Sequence, residues 1–532
     1  MNNELKESKK NIKHSNSLAL FLVGSLIMTS LWGCAAKKDN DSQDLKSTEI
    51  SEEVVEEDNS GDDDNASQND ASKNDSSSDK DNKDGTVTND ASSYKTNHLT
   101  KDDISINETY EDDGDGSHAI TADGEDADYA DAAVYKTGEA DGDEADFYGE
   151  NAAVFATNGA TLNLSDIYAW TDGTHANGVF SYGEGTTVNI SDSVIETSGN
   201  CSGGLMTTGG GTMNASNLTI NTSGNSSAAI RSDRGGGTVN VDGGYYKTSG
   251  TGSPVIYSTA DITVSNAYLE STASQGVVVE GKNSVTLNDC ELVADNNTKN
   301  SDKSDTYQAV MIYQSMSGDA ANGTSSFDMT GGSLTNANGD IFFVNNTACT
   351  INLEDVNIVN NDSDGVFLRA QAAGWGNSGS NGGKVTLTAV HQNINGDMIV
   401  DEVSALNLYL TEETAFVGAI NSDGTAGEVY VELDETSTWT LTEDSYINSL
   451  TCVAGSINLN GHILYVNGEV YTDDSDSTGE AIEIVSESSS GETPDGEAPD
   501  GMPGDAPSRP DGNGSSGGPG GNGGTPPEKP KQ

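Results

Sequence analysis

The sequence predicts an all-β solenoid, a parallel β-helix, on three observations. Short runs alternate apolar and polar residues, Gly, Asn and Asp punctuate those runs, and the whole pattern recurs about every 25 residues. No helical period of useful length interrupts it.

The repeat is plainest in four segments. They are Asn151-Ala-Ala-Val-Phe-Ala-Thr-Asn-Gly-Ala-Thr-Leu-Asn-Leu-Ser-Asp, Ala176-Asn-Gly-Val-Phe-Ser-Tyr-Gly-Glu-Gly-Thr-Thr-Val-Asn-Ile-Ser-Asp, Ser202-Gly-Gly-Leu-Met-Thr-Thr-Gly-Gly-Gly-Thr-Met-Asn-Ala-Ser-Asn and Ser227-Ala-Ala-Ile-Arg-Ser-Asp-Arg-Gly-Gly-Gly-Thr-Val-Asn-Val-Asp-Gly. Their equivalent apolar residues, Val154, Val179, Leu205 and Ile230, are spaced by 25, 26 and 25, and Ile256 and Val278 continue the series at 26 and 22. Each unit opens on a short apolar strand and turns at a Gly. It continues as an alternating strand of the Thr-Leu-Asn-Leu type, then turns at Ser-Asp or Asp-Gly. A third strand such as Ser193-Val-Ile-Glu-Thr follows and ends at Thr-Ser-Gly. A side-chain period of two makes the strands, and Gly, Asn and Asp sit where the chain must turn. Three strands and three corners per unit stack into coils with an inward core of Val, Leu, Ile, Phe and Ala. Weaker coils follow at Val310-Met-Ile-Tyr, Ile341-Phe-Phe-Val, Gly365-Val-Phe-Leu and Met398-Ile-Val, with insertions at 296–306 and 370–383. The count is roughly a dozen coils, and the repeat domain is expected over residues 103–475.

The flanks have a different texture. Lys6, Lys9, Lys10 and Lys13 precede an apolar run, Leu18 to Leu31, that ends in Trp32-Gly33-Cys34, the pattern of an export signal over residues 1–33. Leu31-Trp32-Gly33-Cys34 resembles a lipobox. That resemblance implies lipid attachment at Cys34, which becomes the mature N-terminus and anchors the chain to a membrane of the bacterial envelope on its extracytoplasmic side. Residues 34–102 are Asp, Glu, Ser, Asn and Lys with almost no large apolar side chain, so they read as a disordered acidic stalk. Residues 476–532, with Pro494-Asp-Gly, Pro499-Asp-Gly and Pro510-Asp-Gly, read as a disordered Pro/Gly/Asp-rich tail.

Composition narrows the partners. The 532 residues carry 24 Lys+Arg against 86 Asp+Glu, a formal charge of −62, which repels nucleic acid and anionic lipid. Cys201, Cys290, Cys349 and Cys452 are scattered without a CxxC pair, the pattern of small buried residues and not of a zinc site.

The repeat region resembles the right-handed parallel β-helix of the pectin-lyase-like superfamily, and within it the adhesin-like surface lipoproteins of anaerobic gut bacteria. The stretches that carry the likeness are Asp146-Phe-Tyr-Gly-Glu-Asn-Ala-Ala-Val, Ser253-Pro-Val-Ile-Tyr-Ser-Thr, Val278-Val-Glu-Gly-Lys-Asn-Ser, Tyr313-Gln-Ser-Met-Ser-Gly-Asp and Trp375-Gly-Asn-Ser-Gly-Ser-Asn-Gly-Gly. It implies a cell-surface protein and, because the superfamily includes polysaccharide lyases and hydrolases, obliges a search for an active site.

A lyase site needs calcium and a basic residue, usually Arg. Outside the tail the only arginines are Arg231, Arg234 and Arg369, and Arg231-Ser-Asp-Arg234 reads as pairing on a solvated face. A hydrolase needs clustered carboxylates beside a His and an Arg, yet His118, His175, His391 and His462 each stand alone in sequence. The expectation is therefore no catalytic residues and no cofactor. Calcium stays open as a weak ligand of an acidic loop through Asp141, Asp143 and Asp146. One further pattern recurs at fixed strand positions: Thr161/Asn163, Thr187/Asn189, Thr212/Asn214 and Thr238/Asn240. Such a ladder suits a flat repeating surface such as crystalline polysaccharide, while its commoner use is a β-favouring polar face of stacked Asn. Tyr168, Trp170, Tyr182, Tyr245, Tyr246, Tyr257 and Trp375 supply aromatics, with core or corner packing as their ordinary role. The expected function is adhesion or binding of an extracellular glycan or neighbouring-cell surface without catalysis. The alternatives are a polysaccharide lyase or hydrolase and a passive structural spacer.

Overall fold

Apolar residues at every second strand position, repeated coil after coil, can be buried only if the strands stack in register. The computed structural model describes residues 91–299, 301–424 and 427–485. The signal segment, Cys34, most of the expected stalk and most of the expected tail lie outside them.

The described chain is a parallel β-helix. Eleven short strands, from Ile120–Asp123 to Met398–Val400, form one parallel sheet. In it Val154 pairs with Val179, then Leu205, Ile230 and Ile256 in turn, as the repeat predicts. The next partner of Ile256 is Val277, one residue short of the expected Val278. A slip of one residue turns a side chain to the other face. Val277 therefore enters the main core, while Val278 packs outward with Tyr257, Met311, Tyr313, Phe343 and Trp375. Three consecutive valines carry no alternation that would have fixed the register. Val310, Phe342, Leu368 and Met398 continue the column.

The second and third strands of the coils through Asn357–Asn360 share a nineteen-stranded sheet, while the third strands of the later coils, from Asn393–Asn395 to Ile457–Asn458, form a separate four-stranded one. They meet at a corner held in the left-handed conformation, at Asp131, Asp166, Asp192, Asn217, Gly243, Asn266 and Asp289; Asp166, Asp192 and Gly243 are the Ser-Asp and Asp-Gly corners read from sequence. Asp, Asn and Gly tolerate that conformation best. The Thr-Ser-Gly corner has a steric cause instead. A Cβ on Gly199, Gly224 or Gly250 would lie 1.9, 1.8 and 1.8 Å from the carbonyl oxygen of the stacked Gly below. Only glycine lets the coils approach this closely.

Both ends of the described segment pack back on the solenoid. Residues 91–102, assigned from sequence to the stalk, are ordered: Tyr94 is buried beside Tyr245 and Tyr268, His98 stacks on Tyr245 at 4.3 Å, and Leu99 and Ile104 cover Ala133, Tyr168 and Val194. The few apolar residues of an otherwise polar stretch are the ones that make these contacts. At the other end Ser477 and Cys452 bond through their backbones, and Ile482 is gripped by Asn407. The expected acidic loop between 123 and 150 is instead a strand, Ala127–Lys136, and a short helix, Asp143–Tyr148.

Candidate functional site

Among the described residues, two clusters of polar side chains drawn from several coils bear on function. The first is the Thr/Asn ladder. The first, third and fifth residues of the Thr-Leu-Asn-Leu-Ser strand point away from the core, so register stacks like on like. Asn163, Asn189, Asn214 and Asn240 form one column that continues through Thr263 and Thr286. Their carboxamides form a directional chain. Asn163 donates to Asp128 at 2.7 Å, Asn189 to Asn163 at 2.8 Å, Asn214 to Asn189 at 2.9 Å and Asn240 to Asn214 at 2.9 Å. Flanking columns of Thr161, Thr187, Thr212 and Thr238, and of Ser165, Ser191, Ser216 and Asp242, run beside it. A groove of about 870 Å³ lies over the Asn and Ser columns from Asp128 to Asn266. It crosses six coils, about 24 Å at the usual strand spacing. No Lys or Arg is among its lining residues, and Asp128 and Asp242 make it acidic.

The second is a buried charge cluster on the outer face of the eleven-stranded sheet. Helix Asp143–Tyr148 and the turn around Asp319 lie over it, pinned by Arg234. That guanidinium bonds Asp143 at 3.0 Å and Asp319 at 2.6 Å and sits 3.7 Å from the Phe147 ring centre. Beneath, Arg231 and Asp233 pair at 2.8 Å, both 2 % exposed. Arg231 is thus interior, not on a solvated face, because the cover seals that side of the coil. Glu280 accepts hydrogen bonds from the hydroxyls of Tyr257 at 2.5 Å and Tyr313 at 2.8 Å. Burial pushes the Asp233 carboxyl up, Arg231 opposes that, and Asp319 and Glu280 add to it, leaving it at about 7. Burial also raises Glu280 against its hydroxyl donors, and it raises the phenols of Tyr257 and Tyr313 well above their ordinary value. Alongside, Asp146 lies 3.1 Å from the Nδ1 of His175, with Cys201 near both.

The acidic trio named from sequence does not converge. Asp141 is exposed, Asp143 is paired with Arg234, and Asp146 is buried beside His175. Of the other histidines, His118 stacks on Phe155 and bonds the Ala152 carbonyl, His391 faces Asp355, and His462 lies 3.9 Å from Asp444. None of the seven aromatics lines the ladder groove. Tyr246 is in the main core, Tyr257 and Trp375 pack outside the eleven-stranded sheet, Tyr168 and Tyr245 lie under the N-terminal segment, Trp170 packs beside Tyr135, and Tyr182 meets Tyr148. Cys290, Cys349 and Cys452 are free and buried. The covered cluster was not legible as a site, because its members come from distant coils with no local motif. The glutamate of Val277-Val-Val-Glu280, a charge ending an apolar strand, was the one available signal.

Fold and groove together define a parallel β-helix with an acidic, amide-lined face. No known protein family, curated protein or solved structure matches the chain.

Proposed function

We propose that this is a surface-exposed lipoprotein, anchored through Cys34, whose β-helix binds an extracellular glycan or mediates adhesion along the ladder groove without turning its ligand over. The observation that carries this reading is the groove itself, six coils of outward polar columns at one spacing, four of them presenting an Asn carboxamide. Asn163, Asn189 and Asn214 each use one N–H and one lone pair on their neighbours, and a carboxamide has two of each. Each of these three carboxamides therefore keeps one donor and one acceptor for a ligand, and several equivalent weak contacts add through avidity. The acidic lining favours a neutral or cationic partner.

A second reading, a polysaccharide hydrolase, is favoured by the covered cluster. Asp146, Asp233, Glu280 and Asp319 with His175, Arg231 and Arg234 supply the carboxylate, His and Arg chemistry such an enzyme uses. A spacer with no ligand is the third.

The deciding experiment incubates the soluble chain from residue 35 onward with plant, mucin and cell-wall polysaccharides, with calcium or with chelator, scoring retention and released sugar. Retention without product is expected. Loss of retention in chelator would show that a divalent cation takes part in binding. New reducing or unsaturated ends would overturn the non-catalytic reading, and neither signal would leave the spacer.

A further inference from the structure

The ladder face already holds one ligand-like group, and it belongs to the chain itself. Asn407 occupies the outward column that leads back through Thr386, Thr350 and Ser326 toward Thr238 and Thr212. Its Nδ2 donates to the Ile482 carbonyl at 2.9 Å, and its Oδ1 accepts the Ile482 N–H at 2.9 Å. An outward carboxamide thus grips a main-chain N–H and C=O together. Neighbouring ladder hydroxyls act alike: Thr451 Oγ1 accepts the Gly479 N–H at 3.0 Å, and Ser449 Oγ accepts the Glu480 N–H at 2.9 Å.

We infer that the open groove selects glycans bearing acetamido groups, with the Asn189 and Asn214 carboxamides reading the N-acetyl amide. This deepens the glycan reading above and rests on it. The acetamido substituent of an N-acetylhexosamine is a secondary amide, with one N–H and one C=O like a peptide unit. It carries no negative charge for Asp128 and Asp242 to repel, which suits a groove lined by no Lys or Arg. Asn189 and Asn214 are the half-buried members of the column, each bonded to an Asn on both sides, and each retains one donor and one acceptor. A plain hydroxyl array would satisfy the Thr and Ser columns equally well, so the amide column is the part that discriminates.

The test titrates the soluble chain from residue 35 onward with the β-linked pentamer of N-acetylglucosamine and with the matching pentamer of glucose. The double substitution Asn189→Thr and Asn214→Thr removes the carboxamides while keeping a side chain that the same column already accepts at Thr263 and Thr286. Circular dichroism and the thermal midpoint verify its fold. The acetylated pentamer should bind more tightly by roughly tenfold, the size of one or two hydrogen bonds, and the double variant should abolish that preference. Equal affinity for the two pentamers, or a preference that survives in the variant, would overturn the amide inference and leave the glycan reading standing. Binding of neither would overturn both. Retention of a capped neutral peptide but neither sugar would move the face to a protein partner and overturn the inference as well.

Discussion

Asp233 gives the sharpest stability prediction. Its carboxyl is 2 % exposed and titrates at about 7 in the fold, whereas an Asp in an unfolded chain titrates near 3.9. Between those values the folded protein binds about one proton more than the unfolded chain, so stability falls by about 1.4 kcal/mol for each pH unit gained. The contribution is fully present below about pH 4, shrinks as pH rises, and is gone above about pH 7, a total on the order of 4 kcal/mol. The perturbation is Asp233→Asn, which keeps the shape and one acceptor for Arg231 but cannot ionise. It should shift the baseline, because Arg231 loses its charged partner, and it should also flatten the dependence on pH. The assay is the urea midpoint, followed by far-UV circular dichroism in steps between about pH 4 and pH 8, for wild type and variant side by side. Comparison at each pH cancels the other carboxylates, including Asp434, which its backbone and hydroxyl donors hold at about 2 despite burial. Parallel curves for the two proteins would refute the reasoning. A wild type that grows more stable from about pH 5 to pH 7 relative to the variant would reverse its sign.

Other consequences follow from the packing. Gly224→Ala places a Cβ 1.8 Å from the Gly199 carbonyl oxygen, so the coils must separate and stability should drop by about 3 kcal/mol, read from the same urea midpoint. Tyr94→Ala removes the aromatic that ties the N-terminal segment to Tyr245 and Tyr268, and limited proteolysis should then cut within residues 91–104 several times faster while the coils stay intact. Cys290, which burial pushes to about 12, and the buried Cys349 and Cys452 should resist a thiol reagent in the native protein and react after denaturation, as peptide mapping would show.

The coil architecture was largely legible in the sequence because it rests on repetition. Val154, Val179, Leu205, Ile230 and Ile256 pair as their spacing requires, and the Ser-Asp and Asp-Gly corners fall at the left-handed positions. Register failed at Val277-Val278-Val279, where three identical side chains erase the alternation that tells in from out. The Asn column was also visible, since Thr-x-Asn recurs at fixed strand positions. Its groove was not, because a groove depends on how neighbouring coils curve and turn their corners. Arg231 and Asp233 read as solvated because composition cannot show that helix Asp143–Tyr148 and the turn at Asp319 fold over them from 91 and 85 residues away, measured from the Arg234 that pins both. Residues 91–102 read as stalk because a strap needs only a few apolar contacts, too few to lift the composition of the stretch.

The central claim is that the ladder groove, and not the covered cluster, is the working surface. Its most direct test measures polysaccharide retention and sugar release on three proteins in parallel: wild type, the Asn189→Thr/Asn214→Thr double variant, and Glu280→Gln, which neutralises the buried acid. Retention by wild type and by Glu280→Gln, about tenfold weaker retention of acetamido-bearing polysaccharide by the ladder variant, and no released sugar from any of the three is the predicted result. Sugar released by wild type and abolished in Glu280→Gln, with the ladder variant unaffected, would contradict the account and make the covered cluster an active site.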